Sequence, residues 1–313
     1  MQHAHSKQIS KIIFIDGMPR AGKSVLSNIL PCYKEVEQIR FLTIIEHILP
    51  ALRFKTIKKD FAKSLMTTYL NEYCYESYIG RTLNLRKKEQ SSVYEYISPE
   101  IYFKRLKKKE GTKTINEIKK KKNYFLFQTH DVISNYRYFL KLNIDCKIIE
   151  VIRNPIDIIF SWYKRGWGKR FTKDPQSFTS LVKKKNILTP WYAFTKPKYW
   201  QQLNEVERCA FNVFNLLKFS YPILKKIKKK NDKILIIKFE NFVQSPKKEI
   251  LRIKLFLKRN YSKKIFEKLK KANCPRRLNI ELLNNKKYFL KKRLNTEMYK
   301  KLISFEKRYN EYF

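Results

Sequence analysis

The sequence predicts an α/β protein built on a central, mostly parallel β-sheet with helices on both faces. Three observations carry this. Short β-branched and aromatic runs recur at residues 12–15, 124–129, 146–152 and 233–239. Stretches of helical periodicity separate them, the alternation expected of parallel strands joined by crossover helices. The first run leads through a glycine turn directly into a helical segment, the usual opening of such a domain. With 313 residues, 43% of them hydrophobic, the chain can bury the core of one large domain.

Taken in order, Ile12, Ile13, Phe14 and Ile15 read as a buried strand closing at Asp16-Gly17. Residues 21–30 read as a helix stopped before Pro31. Residues 35–85 read as helical, because Leu42, Ile45, Ile48, Leu49 and Leu52 recur at three- and four-residue spacing. A polar, basic loop at 81–90 follows, then a short helix from Pro99 and a charged, mobile stretch over 110–122. Residues 35–122 are thus expected to form a helical insertion.

The second strand, 124–129, ends at His130-Asp131, and a helix follows over 133–141. The third, 146–152, ends at Arg153-Asn154-Pro155, with a helix over 156–163. Residues 166–200, with Pro175, Pro190 and Pro197, read as an irregular insertion or lid. A long amphipathic helix over 205–229, a fourth strand at 233–239 and a helix at 246–257 come next. A basic loop at 275–287 and a last helix from Thr296 complete the chain. There is no internal repeat.

Seventy Lys and Arg against 27 Asp and Glu give a formal charge of +43. Such a surplus draws polyanions at low salt. The abundance of Lys, Asn, Ile, Tyr and Phe fits A/T-rich coding equally well. The Lys runs at 107–109, 119–122, 183–185 and 225–230 carry no interleaved glycine or RNA-binding signature. Cys32, Cys74, Cys146, Cys209 and Cys274 form no Cys-x-x-Cys pair, so neither a zinc site nor a disulfide framework is indicated. Reduced thiols and a cytoplasmic location are expected. No stretch of about 18 apolar residues suggests a membrane span, and no apolar signal region precedes Lys11. His3 and His5 sit in a short polar leader, and no metal site is expected.

The strongest motif is Gly17-Met18-Pro19-Arg20-Ala21-Gly22-Lys23-Ser24, which fits the phosphate-binding pattern G-x-x-x-x-G-K-S between a strand and a helix. Backbone N–H groups at such a turn converge on one spot, and the helix dipole favours an anion there. Pro19, Arg20, Ala21 and Gly22 would form the cradle, and Lys23, Ser24 and Val25 would open the helix over the ligand. Arg20 and Lys23 add charge-assisted donors. In a nucleoside triphosphatase Lys23 would reach the β- and γ-phosphates and Ser24 would hold Mg²⁺, with Asp131 or Glu240 as the acidic partner.

The second motif runs from Arg153 through Asn154, Pro155 and Asp157 to Ser161. An Arg at the C-terminal end of a strand lies where open α/β sheets bind ligands. Arg153 and Ser161 would suit a second phosphate. Alternatively, Arg153 pairs with Asp157 in a surface turn.

These motifs resemble those of sulfotransferases that use 3′-phosphoadenosine-5′-phosphosulfate (PAPS). Residues 17–24 resemble the loop G-x-P-[RK]-[SA]-G-[TK]-[TS], and Arg153 to Ser161 resembles R-[DN]-P-x-D-x-x-x-S. Ile236-Ile237-Lys238-Phe239-Glu240-Asn241-Phe242, with Pro246 and Leu251 beyond, looks like a third segment of the family. Order and spacing agree over about residues 11–257. The resemblance implies a P-loop-like three-layer sandwich, one domain spanning residues 1–313, PAPS as co-substrate and no metal. It implies Arg20 on the bridging oxygen and 5′-phosphate, Gly22, Lys23 and Ser24 on the phosphosulfate, and Arg153 and Ser161 on the 3′-phosphate. Gln128-Thr129-His130 resembles the family's K-T-H segment, which maps the general base onto His130. Gln128 stands where that segment has Lys, and Lys23 stands where the loop more usually has Thr.

Weaker candidates are Arg81, Asn84 and Arg86 for an anionic acceptor, and Trp162, Trp167, Trp191 and Tyr192 as aromatic walls. Arg276 and Arg277 could reach the 3′-phosphate. Asp157 and Glu240 are expected to hold backbone and helix ends. Three readings of function follow: a soluble sulfotransferase of bacterial or viral type acting on a hydroxyl of a sugar, lipid or small molecule; a P-loop kinase or NTPase using Mg-ATP; and a non-enzymatic binder of polyanions. The insertion at 166–200 is expected to set the acceptor.

Overall fold

A computed structural model describes residues 7–89, 91–170, 179–227 and 231–313. His3, His5, Pro175 and the end of the Lys run at 228–230 lie outside the described residues. The strand β1 (Lys11–Asp16) leads through the loop to helix α1 (Lys23–Ile29). Then follow β2 (Val36–Phe41), α2 (Ile45–Arg53), α3 (Lys59–Tyr78), α4 (Pro99–Arg105), α5 (Thr112–Lys121) and β3 (Tyr124–Gln128). After α6 (Tyr136–Phe139) come β4 (Cys146–Ile152), α7 (Pro155–Lys164), β5 (Leu181–Lys184), β6 (Ile187–Pro190), α8 (Pro197–Gln202) and α9 (Glu205–Ile227). The chain ends with β7 (Ile234–Lys238), α10 (Phe239–Gln244), α11 (Pro246–Leu257), α12 (Lys264–Lys271), α13 (Ile280–Arg293) and α14 (Thr296–Tyr312).

Five strands form one sheet in the order β2-β3-β1-β4-β7, and every pairing in it is parallel. Side chains alternate between its faces. Ile12 and Phe14 of β1, with Phe125 and Phe127 of β3, pack into one core with α2, α3, α7, α9 and α14. Ile13 and Ile15, with Leu126 and Ile149, pack into a second with α1, α10, α11 and α12. This is the expected α/β architecture, a sheet between two helical layers. Each fully buried Ile or Phe contributes about 1.5–3 kcal/mol, so burial of β1 on both faces makes it the rigid base of the loop that follows.

The structure corrects the local reading in several places. Residues 36–41 are the edge strand β2, not the start of a helix. Their pattern hid this because Glu37 and Arg40 are buried, at 3% and 6% exposure. Glu37 accepts from Arg105 and Asn123 at 2.9 and 2.8 Å and from Tyr102 at 3.0 Å, and Arg40 donates to Tyr96 and Ser77. The helical segment therefore begins at Ile45. Residues 112–121 are an ordered helix whose Thr114 and Ile118 are buried. Within 166–200, β5 and β6 form an antiparallel hairpin turning at Lys185-Asn186, both with positive φ. The basic stretch at 275–287 ends in the first turns of α13, and α12 was not anticipated. All five cysteines are free and buried.

Candidate functional site

The site lies at the C-terminal edge of β1, β3 and β4. Two glycines make its loop possible. At Gly17, φ is +129°, and a Cβ would stand 2.3 Å from the Val151 carbonyl oxygen. At Gly22, φ is +104°, and a Cβ would meet the Phe239 ring at 2.2 Å. L-residues rarely adopt these angles. The loop is thereby pressed against β4 on one side and α10 on the other. Arg20, with φ 72°, is the exposed crest between them. Ala21 is buried beneath, and Pro19 accepts a hydrogen bond from Trp162 Nε1 at 2.9 Å.

The second motif is capped as its sequence suggests. Pro155 occupies the first turn of α7, and the Asn154 side chain accepts from Ile156 N–H at 2.9 Å. Asn154 N–H in turn donates to Glu240, whose other oxygen accepts from Tyr309. Glu240 thus anchors backbone and C-terminal helix, the structural role read for it. Arg153 donates to the Arg20 carbonyl at 3.2 Å, lies 3.4 Å from Asp157 and stacks over the Phe239 ring at 4.6 Å. Asp157 also pairs with Lys286 of α13 at 2.6 Å. Arg153 thus pairs with Asp157, one of its two readings, and also reaches the loop through the Arg20 carbonyl.

The two motifs meet directly, because Arg20 Nε donates to Ser161 Oγ at 3.0 Å. Arg165, from the end of α7, completes a group of three guanidiniums. After burial, the charges of Arg165 and Arg153 pull the Arg20 pKa below its ordinary value. Arg165 was not anticipated, since a single Arg past a helix end carries no motif. Pro19, Arg20, Gly22, Lys23, Ser24 and Val25 line one cleft of about 590 Å³, together with Arg153, Arg165, His130 and Phe239. Ser161 is tied to this cleft by its contact with Arg20.

Lys23 borders the cleft, but its ammonium is turned inward onto the loop. It is 4% exposed, and its ammonium donates to the Gly17 carbonyl and, at 3.1 Å, to that of Met18. Burial lowers its pKa to about 8, against the opposing pull of Asp16, Glu46, Glu150 and Asp131. It braces the loop from below. Gln128 points to α1, accepting from Ser27 Oγ at 2.9 Å.

His130 follows β3 and opens on the same cleft. Its Nδ1 lies 3.2 Å from Glu46 Oε1, which also accepts from the His130 backbone N–H at 2.9 Å. Burial, and then Lys23, push its pKa down to about 3. The ring is neutral near pH 7, with an unprotonated nitrogen, and burial beside Lys23 weakens it as a base. Asp131 is buried and accepts from Trp191 Nε1 at 2.7 Å. A second, smaller hollow of about 90 Å³ adjoins His130, walled by Trp162, Trp167, Tyr192 and Leu216. Trp191 packs in the core instead, stacked on Phe219. Arg276 lies 5.6 Å from the Phe239 ring but spends its donors on the Ala272 and Asn273 carbonyls. Arg81 pairs with Glu76 and Glu110, away from the cleft, and Arg86 pairs with Glu89.

Residues 11–303 match the family model described as the sulfotransferase domain. The chain belongs to the sulfotransferase family. No curated protein sequence matches this sulfotransferase. Among solved structures it is similar to the sulfotransferase domain of the Synechococcus PCC 7002 olefin synthase, with 15% identity, TM-score 0.44, and 85% of this chain and 78% of that one covered. It is also similar to the sulfotransferase domain of the curacin biosynthetic pathway, with 13% identity, TM-score 0.45, and 84% and 78% covered. Sulfotransferase STF9 from Mycobacterium avium gives 12% identity, TM-score 0.38, and 92% and 77% covered. The family assignment rests on the family model. Among the described residues, no helix of this sulfotransferase is long and apolar enough to cross a membrane.

Proposed function

We propose that this sulfotransferase takes its sulfuryl group from PAPS and delivers it to the hydroxyl of a small, largely apolar acceptor, with His130 as general base. The observation that carries this is the contact of Arg20 with Ser161, which joins the phosphate loop and the Arg153 motif in one cleft. Such a cleft suits a donor with phosphates at two ends. The first-turn N–H groups of α1 and Arg20 would hold the 5′ end, and Arg153 and Ser161 the 3′-phosphate. Arg20, on the crest, is the cation best placed for charge gathering on the bridging oxygen. Lys23 supports catalysis by bracing the loop.

The acceptor would sit in the aromatic hollow beside His130, which could take up its hydroxyl proton while holding it in line. Tyr192 and Thr179 bring residues of the 166–200 segment to that hollow, which supports the reading of this segment as the acceptor-setting insertion of a single domain. Asp131 and Glu240, the metal-site candidates of a triphosphatase, are engaged with Trp191 and with Asn154 and Tyr309.

The test is calorimetric titration with adenosine 3′,5′-bisphosphate and with Mg-ATP, each repeated in EDTA. Bisphosphate binding that ignores EDTA and is lost in Arg153→Ala is expected. Binding of Mg-ATP alone, abolished by EDTA, would overturn the proposal. Binding that survives Arg20→Ala, Lys23→Ala and Arg153→Ala and vanishes only with salt would mark a polyanion binder.

A further inference from the structure

Behind His130 lies a group of carboxyls that sulfuryl transfer itself does not call on. Asp16, Glu46, Asp131 and Glu150 are each 5% exposed or less. Asp16 is engaged by Thr129 Oγ1 at 2.9 Å and Ile133 N–H at 2.7 Å. Glu46, from α2, is the one that touches the histidine, and it does so twice, at the backbone N–H and at Nδ1. A ring held beside a carboxylate that is itself tied to the same residue's backbone cannot turn without losing the contact. Among the described residues, His130 Nε2 has no hydrogen-bond partner, and the ring borders both the cleft and the aromatic hollow.

The Asp131 carboxyl completes the arrangement. Its Oδ2 accepts from Trp191 Nε1, while Oδ1 is buried with no donor. A bare carboxylate oxygen in that position is doubly unfavourable, because it is desolvated and stands against a second carboxylate. A proton on Oδ1, donated toward Glu46, removes both costs. The two carboxyls hydrogen-bond, and burial followed by the charge of Glu46 raises Asp131 well above its ordinary value. Burial raises Glu46 to about 7. Both carboxyls are thus held above their ordinary values, Asp131 the further, so Asp131 keeps its proton when Glu46 ionises.

We propose that Glu46 is the positioning residue of the base: its carboxylate, with Asp131 holding the proton of the pair, keeps the His130 hydrogen on Nδ1 and leaves Nε2 to take the acceptor's proton. The proposal rests on the reading of His130 as the base. In the transfer, the acceptor O–H proton passes to Nε2 and the acceptor oxygen forms the new O–S bond. The bond from sulfur to the bridging oxygen breaks, its electron pair staying on the phosphate. The imidazolium later returns its proton from Nε2 to solvent through the cleft. While it exists, the imidazolium faces Lys23 from α1, and Glu46 is the carboxylate in contact to offset that charge. Asp16 of β1 acts on both His130 and Lys23, and Glu150 of β4 acts on Lys23.

The experiment begins with long-range ¹H–¹⁵N spectra of histidine-labelled protein at pH 7, with His130 assigned by its absence in His130→Asn. The wild-type ring should be neutral with hydrogen on Nδ1, and Glu46→Ala should move it to Nε2, the tautomer that unrestrained imidazoles favour. A wild-type ring with hydrogen on Nε2, or a tautomer unchanged in a folded Glu46→Ala, would overturn the proposal. Should Glu46→Ala not fold, the wild-type spectrum and Glu46→Gln still decide. With PAPS and 4-nitrophenol as probe acceptor, Glu46→Gln should lower kcat about 10- to 100-fold, part of the roughly 10²–10⁴ that a general base supplies. The KM for PAPS should stay within about twofold. A raised KM with unchanged kcat would reduce Glu46 to a wall of the site and sink the idea. Full turnover in His130→Asn would instead remove the base assignment, a result that the tautomer spectrum cannot produce.

Discussion

Arg20 Nε donates to Ser161 Oγ at 3.0 Å across 141 residues of sequence. Arg20 comes from the loop after β1 and Ser161 from helix α7 after β4, so the contact makes the two anion-binding motifs a single surface. Arg153 adds to it through the Arg20 carbonyl. Truncating Ser161 removes one hydroxyl and the partner of Arg20, whereas truncating Arg153 removes a guanidinium that stacks on Phe239. Hydrogen bonds to charged groups contribute about 1.5–3 kcal/mol. Adenosine 3′,5′-bisphosphate should therefore bind about 10- to 100-fold more weakly to Arg153→Ala. Ser161→Ala should show a smaller loss, and Arg20→Ala should depress PAPS turnover more than bisphosphate affinity. Calorimetry beside steady-state kinetics checks all three. Equal losses of affinity in Arg20→Ala and Arg153→Ala would contradict the division of roles.

The loop's two glycines should differ in tolerance. An alanine at either position meets a positive φ, a strain of about 1–3 kcal/mol. At Gly22 the obstacle is the Phe239 ring, which can shift as a side chain. At Gly17 it is the Val151 carbonyl, fixed in the sheet by the β4 pairings. Gly17→Ala should lower the melting temperature more than Gly22→Ala, while both impair bisphosphate binding. A Gly17→Ala protein as stable as the wild type would show that the loop is not seated on β4.

The fold and the loop were legible because they depend on local signals. Ile12 to Ile15 is apolar on both faces, and Gly17 and Gly22 stand where only glycine fits. β2 was not legible, because its buried positions include Glu37 and Arg40, polar residues satisfied by partners up to 86 residues away. The same holds for the site. Arg20, Arg153 and Ser161 announce themselves through motif spacing. Glu46 sits unremarked on an amphipathic helix, and Arg165 beyond a helix end. Neither can be placed without the tertiary fold that brings α2 to β3 and α7 to the loop.

The Glu37 network supplies a prediction about that edge strand. Glu37 and Arg105 pair at 2.9 Å with side chains 4% and 9% exposed, and Tyr102 and Asn123 complete the carboxylate's partners. Removing one partner strands a buried charge, at a cost of about 3–5 kcal/mol. Glu37→Leu and Arg105→Met should each lower the urea midpoint strongly, and the double variant should recover part of the loss. A double variant no better than the worse single one would mean that the pair is not energetically coupled.

Acid should act on the protein through His130. Its folded pKa lies near 3, below the ordinary 6.5, because burial and Lys23 disfavour the imidazolium. Between these values the unfolded chain binds a proton that the folded chain does not, so stability falls as pH falls. The contribution of this residue is fully present above about pH 6.5 and is lost progressively toward pH 3. The carboxyls behind it have the opposite sign. Asp131 and Glu150, raised by burial, resist ionisation in the fold and favour the folded state at low pH. The histidine is therefore isolated by comparison with His130→Gln, which cannot titrate. Urea unfolding of both proteins from pH 7.5 to pH 4 should show the wild type losing stability relative to the variant on acidification. A pH-independent difference would mean that the folded ring titrates normally, and that burial and Lys23 leave its proton affinity unchanged.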